Sequence, residues 1–332
     1  MSIYRDPTDA SLLAEDGPDL RSPSGRRFPA FGGGWDFRPG AADANAELQA
    51  GIYDTKLGEL TDFDHPHNLT LVHQRDLLRS LSLSPGDRVL EIGGHRSGVL
   101  PWLERHHAVE GHGLDVSPVW VNAQNALARR RGSRIRWVLG VAEALPFADA
   151  TFAGLVAFDV FEHVTDLGAT LLEAARVLRP GGTLVCHLPV GDLRGSFDGW
   201  QRWRDPADFA SRQASVGHFH ERLPTRRQFR TRLESSGFDV LDLRSFNVWM
   251  QPLHDHRLMP WLGRLRHRKD PRDAAGTPTS TAALPGEGAS RFQKLYSRAA
   301  LPLAQALAGV DSLGAGLGIG GSCSFVARRS ER

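Results

Sequence analysis

Cysteine is scarce in this chain: Cys186 and Cys323 are the only two among 332 residues. That excludes a disulfide scaffold and a cysteine zinc site, and it fits a reducing compartment, so the expected location is cytoplasmic. Lysine is almost missing as well, occurring only at positions 56, 269 and 294, so nearly all of the 40 basic residues are arginine. Together with plentiful alanine and glycine, this resembles the composition that a GC-rich bacterial genome produces. Neither sign of charge is in excess, because 38 acidic residues leave a net +2. Nothing resembles a nucleic-acid-binding tail, and nucleic acid is not an expected partner. Long hydrophobic runs are lacking too. The most apolar late stretch, 299–321, contains Asp311 and many Gly and Ala, and falls short of a spanning helix. The first residues, "MSIYRDPTDASLLAEDG", have no charged-then-apolar export pattern. No internal repeat is present, and nothing in the pattern sets an oligomeric state.

What is present is an alternation of strands and helices. Residues 1–45 are rich in Gly, Pro, Ser and Asp and read as an irregular leader. Helical periodicity begins near 46, with "LTLVHQRDLLRSL" placing Leu71, Leu77, Leu78 and Leu81 near one face. From "SPGDRVLEIG" onward, apolar strands and amphipathic helices follow each other: "GHGLDVS", "IRWVLG", "FAGLVAFD" and "TLVCHLP" are strands. "PVWVNAQNALARRRG" and "DLGATLLEAARVLR" are helices between them. The pattern predicts an α/β fold, a mostly parallel sheet with helices on both faces. The core is assigned to 46–246 with a cap at 191–224. A lid with a Pro/Gly/Ser/Thr-rich, flexible middle follows at 247–320, and a last strand of the core sheet at 321–332.

The chemistry-bearing residues cluster at the strand ends. Glu91 ends the first core strand two residues before Gly93, and Asp115 ends the second. "VAEALPF" follows the third and "DVFEHV" the fourth. Open α/β sheets bind ligands where the carboxyl ends of their strands converge. A carboxylate at Asp115 can accept both hydroxyls of a ribose. The spacing G-x-G-x-x-G of nicotinamide-binding loops is not met by Gly93, His95 and Gly98.

On these residues, the block 84–188 resembles the class I S-adenosylmethionine-dependent methyltransferases, above all their small-molecule group. The most specific part is "AEALPFADATFAGLVAFDVFEHVTDLGATLLEAARVLRPGGTLV". The resemblance implies a Rossmann-like, seven-stranded sheet whose last strand, "SCSFVARR", is antiparallel. It also implies S-adenosyl-L-methionine as cofactor and roles by position. Glu91 meets the methionine end, and Gly93 and Gly94 let backbone approach closely. Asp115 holds the ribose, Val116 lies against the adenine, Ala142 and Glu143 line its edge, and Asp159 flanks the methionine portion.

Departures from the family pattern are concentrated in one loop. Where the family reads E-x-G-x-G-x-G, this chain has "EIGGHRSG", with His95 and Ser97 at the second and third glycine positions. Either their side chains crowd the cofactor, or Gly94 and Gly98 re-form the turn in a shifted register with His95 aimed at cofactor or acceptor. The register-shifted loop is the expectation. Val141 and Ala153 stand where acidic residues are common. Upstream, "LRSPSGRRFPAFGGGWDFRP" is similar to zinc-ribbon-like leaders of some methyltransferases, but Ser22 and Ser24 occupy the thiolate neighbourhood, so no zinc is expected.

Methyl transfer chiefly needs an aligned nucleophile and, for a hydroxyl or amine, removal of its proton. His163 in "FEHV" lies beside the expected methyl position and is a candidate base or a pocket-shaping residue. In the cap, Trp200 and Trp203 are candidates to stack on an acceptor, and the alternate residues His218 and His220 are candidate catalytic groups expected to face one site. "HPH" (65–67) and "HDH" (254–256) lack a third convergent ligand, so no metal is assigned. The basic run 263–272 is a solvated surface or a contact for an acidic acceptor or a membrane. The expected function is therefore methylation of a small molecule: a specialised metabolite, sugar, lipid or quinone-like acceptor. The alternatives are the same fold using the bound sulfonium for non-methyl chemistry, and a degenerate binding module.

Overall fold

A computed structural model describes residues 2–38, 44–54, 60–94, 97–214, 223–258, 261 and 291–331. Five short strands come first: β1 (Ala14–Asp16), β2 (Asp19–Arg21), β3 (Arg27–Phe28), β4 (Ala30–Phe31) and β5 (Gly34–Trp35). The leader, expected to be irregular, thus forms a three-stranded antiparallel sheet from β1 to β3 and a β4–β5 hairpin. Two turns make this possible, with Gly17 at φ +64 and Gly25 at φ +89. Tyr4, Leu13, Leu20, Phe28 and Phe37 bury themselves against the main core. Phe37 N donates to Leu139 O at 2.7 Å, which ties the leader to the edge of the main sheet. Ser22 and Ser24 hydroxyls hydrogen-bond each other at 2.8 Å, and Ser24 Oγ donates to Asp9 at 2.8 Å.

Helices α1 (Ala44–Asp54) and α2 (Leu69–Leu78) lead into the main sheet. Its strands are β6 (Arg88–Ile92), β7 (Glu110–Asp115), β8 (Arg136–Leu139), β9 (Phe152–Phe158), β10 (Leu178–Pro189), β11 (Phe238–Phe246) and β12 (Ser322–Arg329). They lie in the order β11–β12–β10–β9–β6–β7–β8. β12 runs antiparallel to both neighbours, pairing Val326 with Val185 on one side and with Asp242 on the other. The other pairs are parallel. This is the expected seven-stranded Rossmann-like arrangement with one reversed strand. Central strands such as β9, "FAGLVAF", are almost wholly apolar because both faces are covered.

The crossovers start and stop on local signals. In α4 (Pro118–Arg130), Ser117 Oγ accepts from Trp120 N, Pro118 takes the first position, and Gly132 at φ +62 follows the end. Asp166 caps α5 (Leu167–Val177), and Thr225 with Gln228 forms a capping box on α8 (Arg226–Ser235). One sheet face packs on α5, α8 and the leader, through residues such as Leu171, Phe229 and Leu90. The opposite face packs on α2, α3 (Val99–His107) and α4, through Leu78, Leu103 and Val121.

After β10 come α6 (Phe197–Arg204) and α7 (Pro206–Ala214) of the cap. Past β11, the described parts of the 247–320 segment are helical: α9 (Met250–Leu253), a π-helical turn His254–Leu258, and helices Arg291–Ala299, Leu301–Ala308 and Asp311–Gly316. The polar middle and the basic run 263–272 lie outside the described residues. Among the described residues no helix is long and apolar enough to cross a membrane.

Candidate functional site

Strands β6, β7, β8 and β9 run in parallel, so the residues that follow them share one crevice. A cavity of about 300 Å³ opens there, bounded by Glu91, Asp115, Asp159 and His163 from the strand ends, with Gln49 and Phe63 facing them. A lobe of about 80 Å³ adjoins it, sharing Gly93, Asp115, Val116, Val160 and His163, and adding Val141, Ala142 and Glu143. A larger, more open hollow of about 1050 Å³ lies around Arg88, Glu110 and Arg136, where strands begin, at the end of the sheet that α/β folds do not use for ligands.

Glu91 is the most perturbed group of the crevice. It is 3 % exposed, and burial pushes its carboxyl from an ordinary 4.5 up to about 8, opposed by hydrogen bonds from Ser97 and from Leu100 N. Ser97 Oγ donates to Oε1, while the buried Oε2 has no hydrogen-bond partner. Asp115 is also buried and its carboxyl is raised, by desolvation first, against donation from Ser117 N and Gly94 N at 2.8 and 2.7 Å. Each amide takes one lone pair of a different oxygen, which leaves acceptor capacity on both.

Asp159 ends the β9 turn at φ +55, a backbone state that non-glycine residues occupy rarely, Asp more readily than most. Two bonds to one residue hold it there: Asp159 N donates to His187 O, and His187 Nδ1 pairs with Asp159 Oδ1, each at 2.8 Å. Burial opposes charge on His187, yet the Asp159 carboxylate outweighs it and raises the imidazole above its ordinary value. Gln74 of α2 reaches the other Asp159 oxygen at 3.5 Å. His163 Nε2 lies 3.8 Å from Glu162 Oε1. The Glu143 carboxylate accepts from Thr165 N at 2.7 Å, which fixes the loop after β9.

The structure therefore brings Glu91, Gly93, Asp115, Val116, Ala142, Glu143, Asp159 and His163 to one crevice. Gly94 and Gly98 are small for other reasons. A Cβ on Gly94 would fall 2.1 Å from the Trp137 ring, and one on Gly98 1.9 Å from Thr61 O. Ser97, which interrupts the glycine pattern, serves as the hydroxyl donor to buried Glu91. Trp200 packs on Phe197 and Trp249 at ring distances of 5.7 and 6.0 Å, and Trp203 is 79 % exposed, so neither lines this cavity. α6 buries Phe197 and Gln201, and Trp203 projects from its other side. His95, His218 and His220 lie outside the described residues.

Several site residues escaped the sequence reading. Asn45, Ala46 and Gln49 of α1 wall the crevice opposite the strand ends, with no motif to mark them. His187 had a usable signal, since it stands in "TLVCHLP" at the end of the strand next to β9. The buried Glu91 oxygen without a partner and the donor-held Asp115 carboxylate are what a ligand with a cationic amine and a vicinal diol would complete, so the residues present fit an adenosyl amino-acid cofactor.

Comparison with known proteins agrees with this geometry. Residues 90–186 match a family model described as a methyltransferase domain. The ubiquinone/menaquinone biosynthesis C-methyltransferase UbiE of Dinoroseobacter shibae is 30% identical over 181 residues, covering 50% of this chain and 72% of that one. The 24-methylenesterol C-methyltransferase 2 of Oryza sativa is 28% identical over 157 residues, covering 45% of this chain and 43% of that one. Among solved structures, phosphoethanolamine N-methyltransferase 2 of Haemonchus contortus in complex with S-adenosyl-L-methionine superposes with a TM-score of 0.55. It is 15% identical and covers 87% of this chain and 61% of that one, a likeness of fold.

Proposed function

The chain belongs to the class I S-adenosylmethionine-dependent methyltransferases, enzymes acting here on small-molecule acceptors, and from that premise we propose how its crevice divides the work. The cofactor, when bound, supplies a methyl group on a sulfonium already activated for in-line displacement. Asp115 holds the ribose diol on the lone pairs its two amide partners leave open. Glu91 presents its second oxygen to the cofactor's amino group, and that cation draws its carboxyl down from about 8 into the ionised form. Val116, Val141 and Ala142 give the adenine an apolar slot, and α1 with Phe63 keeps water out of the crevice.

Asp159, held by His187, flanks the methionine portion where the acceptor side begins. His163 shapes the same wall and is placed to take a proton from a hydroxyl acceptor. A lipid- or quinone-like acceptor is favoured over a sugar. Phe63, Phe158 and Val160 make that part of the cavity apolar, and the two curated relatives above are named for quinone biosynthesis and for a sterol.

The observation that carries this reading is the convergence of Glu91, Asp115 and Asp159 on one cavity, with a buried Glu91 oxygen awaiting a donor. Calorimetry with S-adenosylhomocysteine and with NAD tests it: heat with the first and none with the second is expected. Absence of binding at millimolar S-adenosylhomocysteine overturns it. Mass analysis of quinol and sterol acceptors after incubation then reads the gain of one CH₂ unit.

A further inference from the structure

Ten of the fifteen large hydrophobic side chains that the described residues leave exposed lie between Trp249 and Leu317. Six of them, Leu295, Leu303, Leu307, Val310, Leu313 and Leu317, stand on or just after three consecutive short helices, Arg291–Ala299, Leu301–Ala308 and Asp311–Gly316. The fold does not need them. The inward sides of these helices are already seated, with Tyr296 and Leu301 packed on Leu69 and Val72 of α2. A concentration of this kind on one segment marks a surface that meets something apolar.

Among the described residues of this segment, exposed charge has one sign. Among the side chains described from 249 to 321, the exposed charged ones are Arg257, Lys294 and Arg298. The two described carboxylates turn inward: Asp311 accepts from Trp249 N, Met250 N and Gln251 N at 3.0–3.2 Å, and Asp255 from Leu69 N and Thr70 N at 3.0 and 2.9 Å. From 299 to 321 the outward face therefore carries no charge. Among the described residues, a second copy docked through the same face would bring the same cations and no exposed carboxylate to answer them. Anionic lipid headgroups complement the cations, and the acyl boundary complements the leucines.

Behind this face lies a groove of about 450 Å³ between α2, β11 and the helices, walled by Val72, His73, Phe246, Val248 and Ala308. Its inner wall reaches the transfer site: Phe246 stacks on His73 at 4.0 Å and meets His187, the partner of Asp159, edge-on at 5.7 Å.

We propose that the helices at 291–317 dock this enzyme on an anionic lipid bilayer, with the leucines at the acyl boundary and Lys294 and Arg298 among the headgroups. Docked in this way, the groove opens onto hydrocarbon, and a lipid-soluble acceptor reaches the Asp159 side without crossing water. That route rests on the methyl-transfer reading; the docking does not.

Flotation of the full chain with phosphatidylcholine–phosphatidylglycerol vesicles, against phosphatidylcholine alone, tests the docking. The protein is expected to float with the mixed vesicles, less with the neutral ones, and less again at high salt. The combined Leu303→Asp, Leu307→Asp, Leu313→Asp variant should lower the bound partition at least about ten-fold with an unchanged Tm and S-adenosylhomocysteine affinity. Should that variant fail to fold, Lys294→Glu with Arg298→Glu serves instead, and should abolish the preference for anionic vesicles. No flotation with either vesicle, or no effect of either variant, overturns the proposal. A dimer by light scattering that the leucine variant breaks, without flotation, assigns the face to a second copy and also overturns it. Flotation by a protein that binds no S-adenosylhomocysteine upholds the docking and refutes the methyl-transfer reading instead.

Discussion

Replacing Glu91 by glutamine should make the cofactor-free protein more stable in alkaline solution. The carboxyl is fully buried, its Oε2 has no partner, and its pKa stands at about 8 instead of 4.5. Folded protein therefore keeps this proton up to about pH 8, while the unfolded chain loses it near 4.5. Between those values the folded state binds more protons, so stability falls as pH rises. The gap of three to four units, at about 1.4 kcal/mol each, sets a ceiling of about 5 kcal/mol on that loss. A glutamine at this position cannot ionise, so wild type and Glu91→Gln should differ by less than about 1 kcal/mol at pH 5, and the variant should pull ahead by several kcal/mol toward pH 8.5. Urea unfolding of both proteins across this range, at constant ionic strength, reads the difference directly. Other perturbed groups, such as His73 held down at about 3 and His112 at about 4, titrate in both proteins and cancel. Saturating S-adenosylhomocysteine should shrink the gap, because its ammonium favours the ionised Glu91. A difference that stays flat to within about 0.5 kcal/mol across the range would refute the reasoning.

Asp115→Ala should weaken S-adenosylhomocysteine binding by about 2–3 kcal/mol, roughly 30- to 160-fold, since a sheltered carboxylate loses its ligand hydroxyls and Gly94 N loses its acceptor; an unchanged Kd by calorimetry in a folded variant would place the ribose elsewhere. Gly94→Ala should cost about 1–3 kcal/mol in a urea melt by pushing a Cβ into the Trp137 ring, and a neutral result would mean that the loop yields freely. His187→Gln should leave cofactor affinity within about two-fold, lower kcat, and change the pH profile of kcat, because His187 positions Asp159; a loss of affinity with an unchanged profile would make it merely structural. In stability, the wild-type advantage over that variant should be full below about pH 6.5 and shrink as pH rises through the raised imidazole value.

The core sheet and its strand-end carboxylates were legible because their signals are local. Period, glycine stops and caps such as Ser117 and Asp166 act within a few residues. The leader was not, since strands of two or three residues show no period, and the residues that Tyr4 and Phe37 pair with, Phe147 and Leu139, are more than a hundred positions away. Ser97 looked like a lost glycine because a pattern records only residue types; its role depends on where Glu91 is buried. The wall made by Gln49 is a matter of packing, as α1 has no distinctive composition. Trp203 drew attention as a large aromatic, yet a helix of eight residues has only one buried side, and Phe197 and Gln201 claim it.

The reversed strand has a consequence for how the chain reaches this state. β11 pairs only with β12, so it stays outside the sheet until everything from 247 to 321 has been synthesised. Throughout that interval β10 has an open edge where β12 will insert, and an exposed edge invites wrong partners. Closing so long a loop is slow. Lengthening it further costs little at equilibrium, since the entropy of closure grows only with the logarithm of its length. Extra residues between β11 and β12 are thus accepted at the expense of folding speed, provided the residues seated on α2, such as Asp255, Tyr296 and Leu301, keep their places.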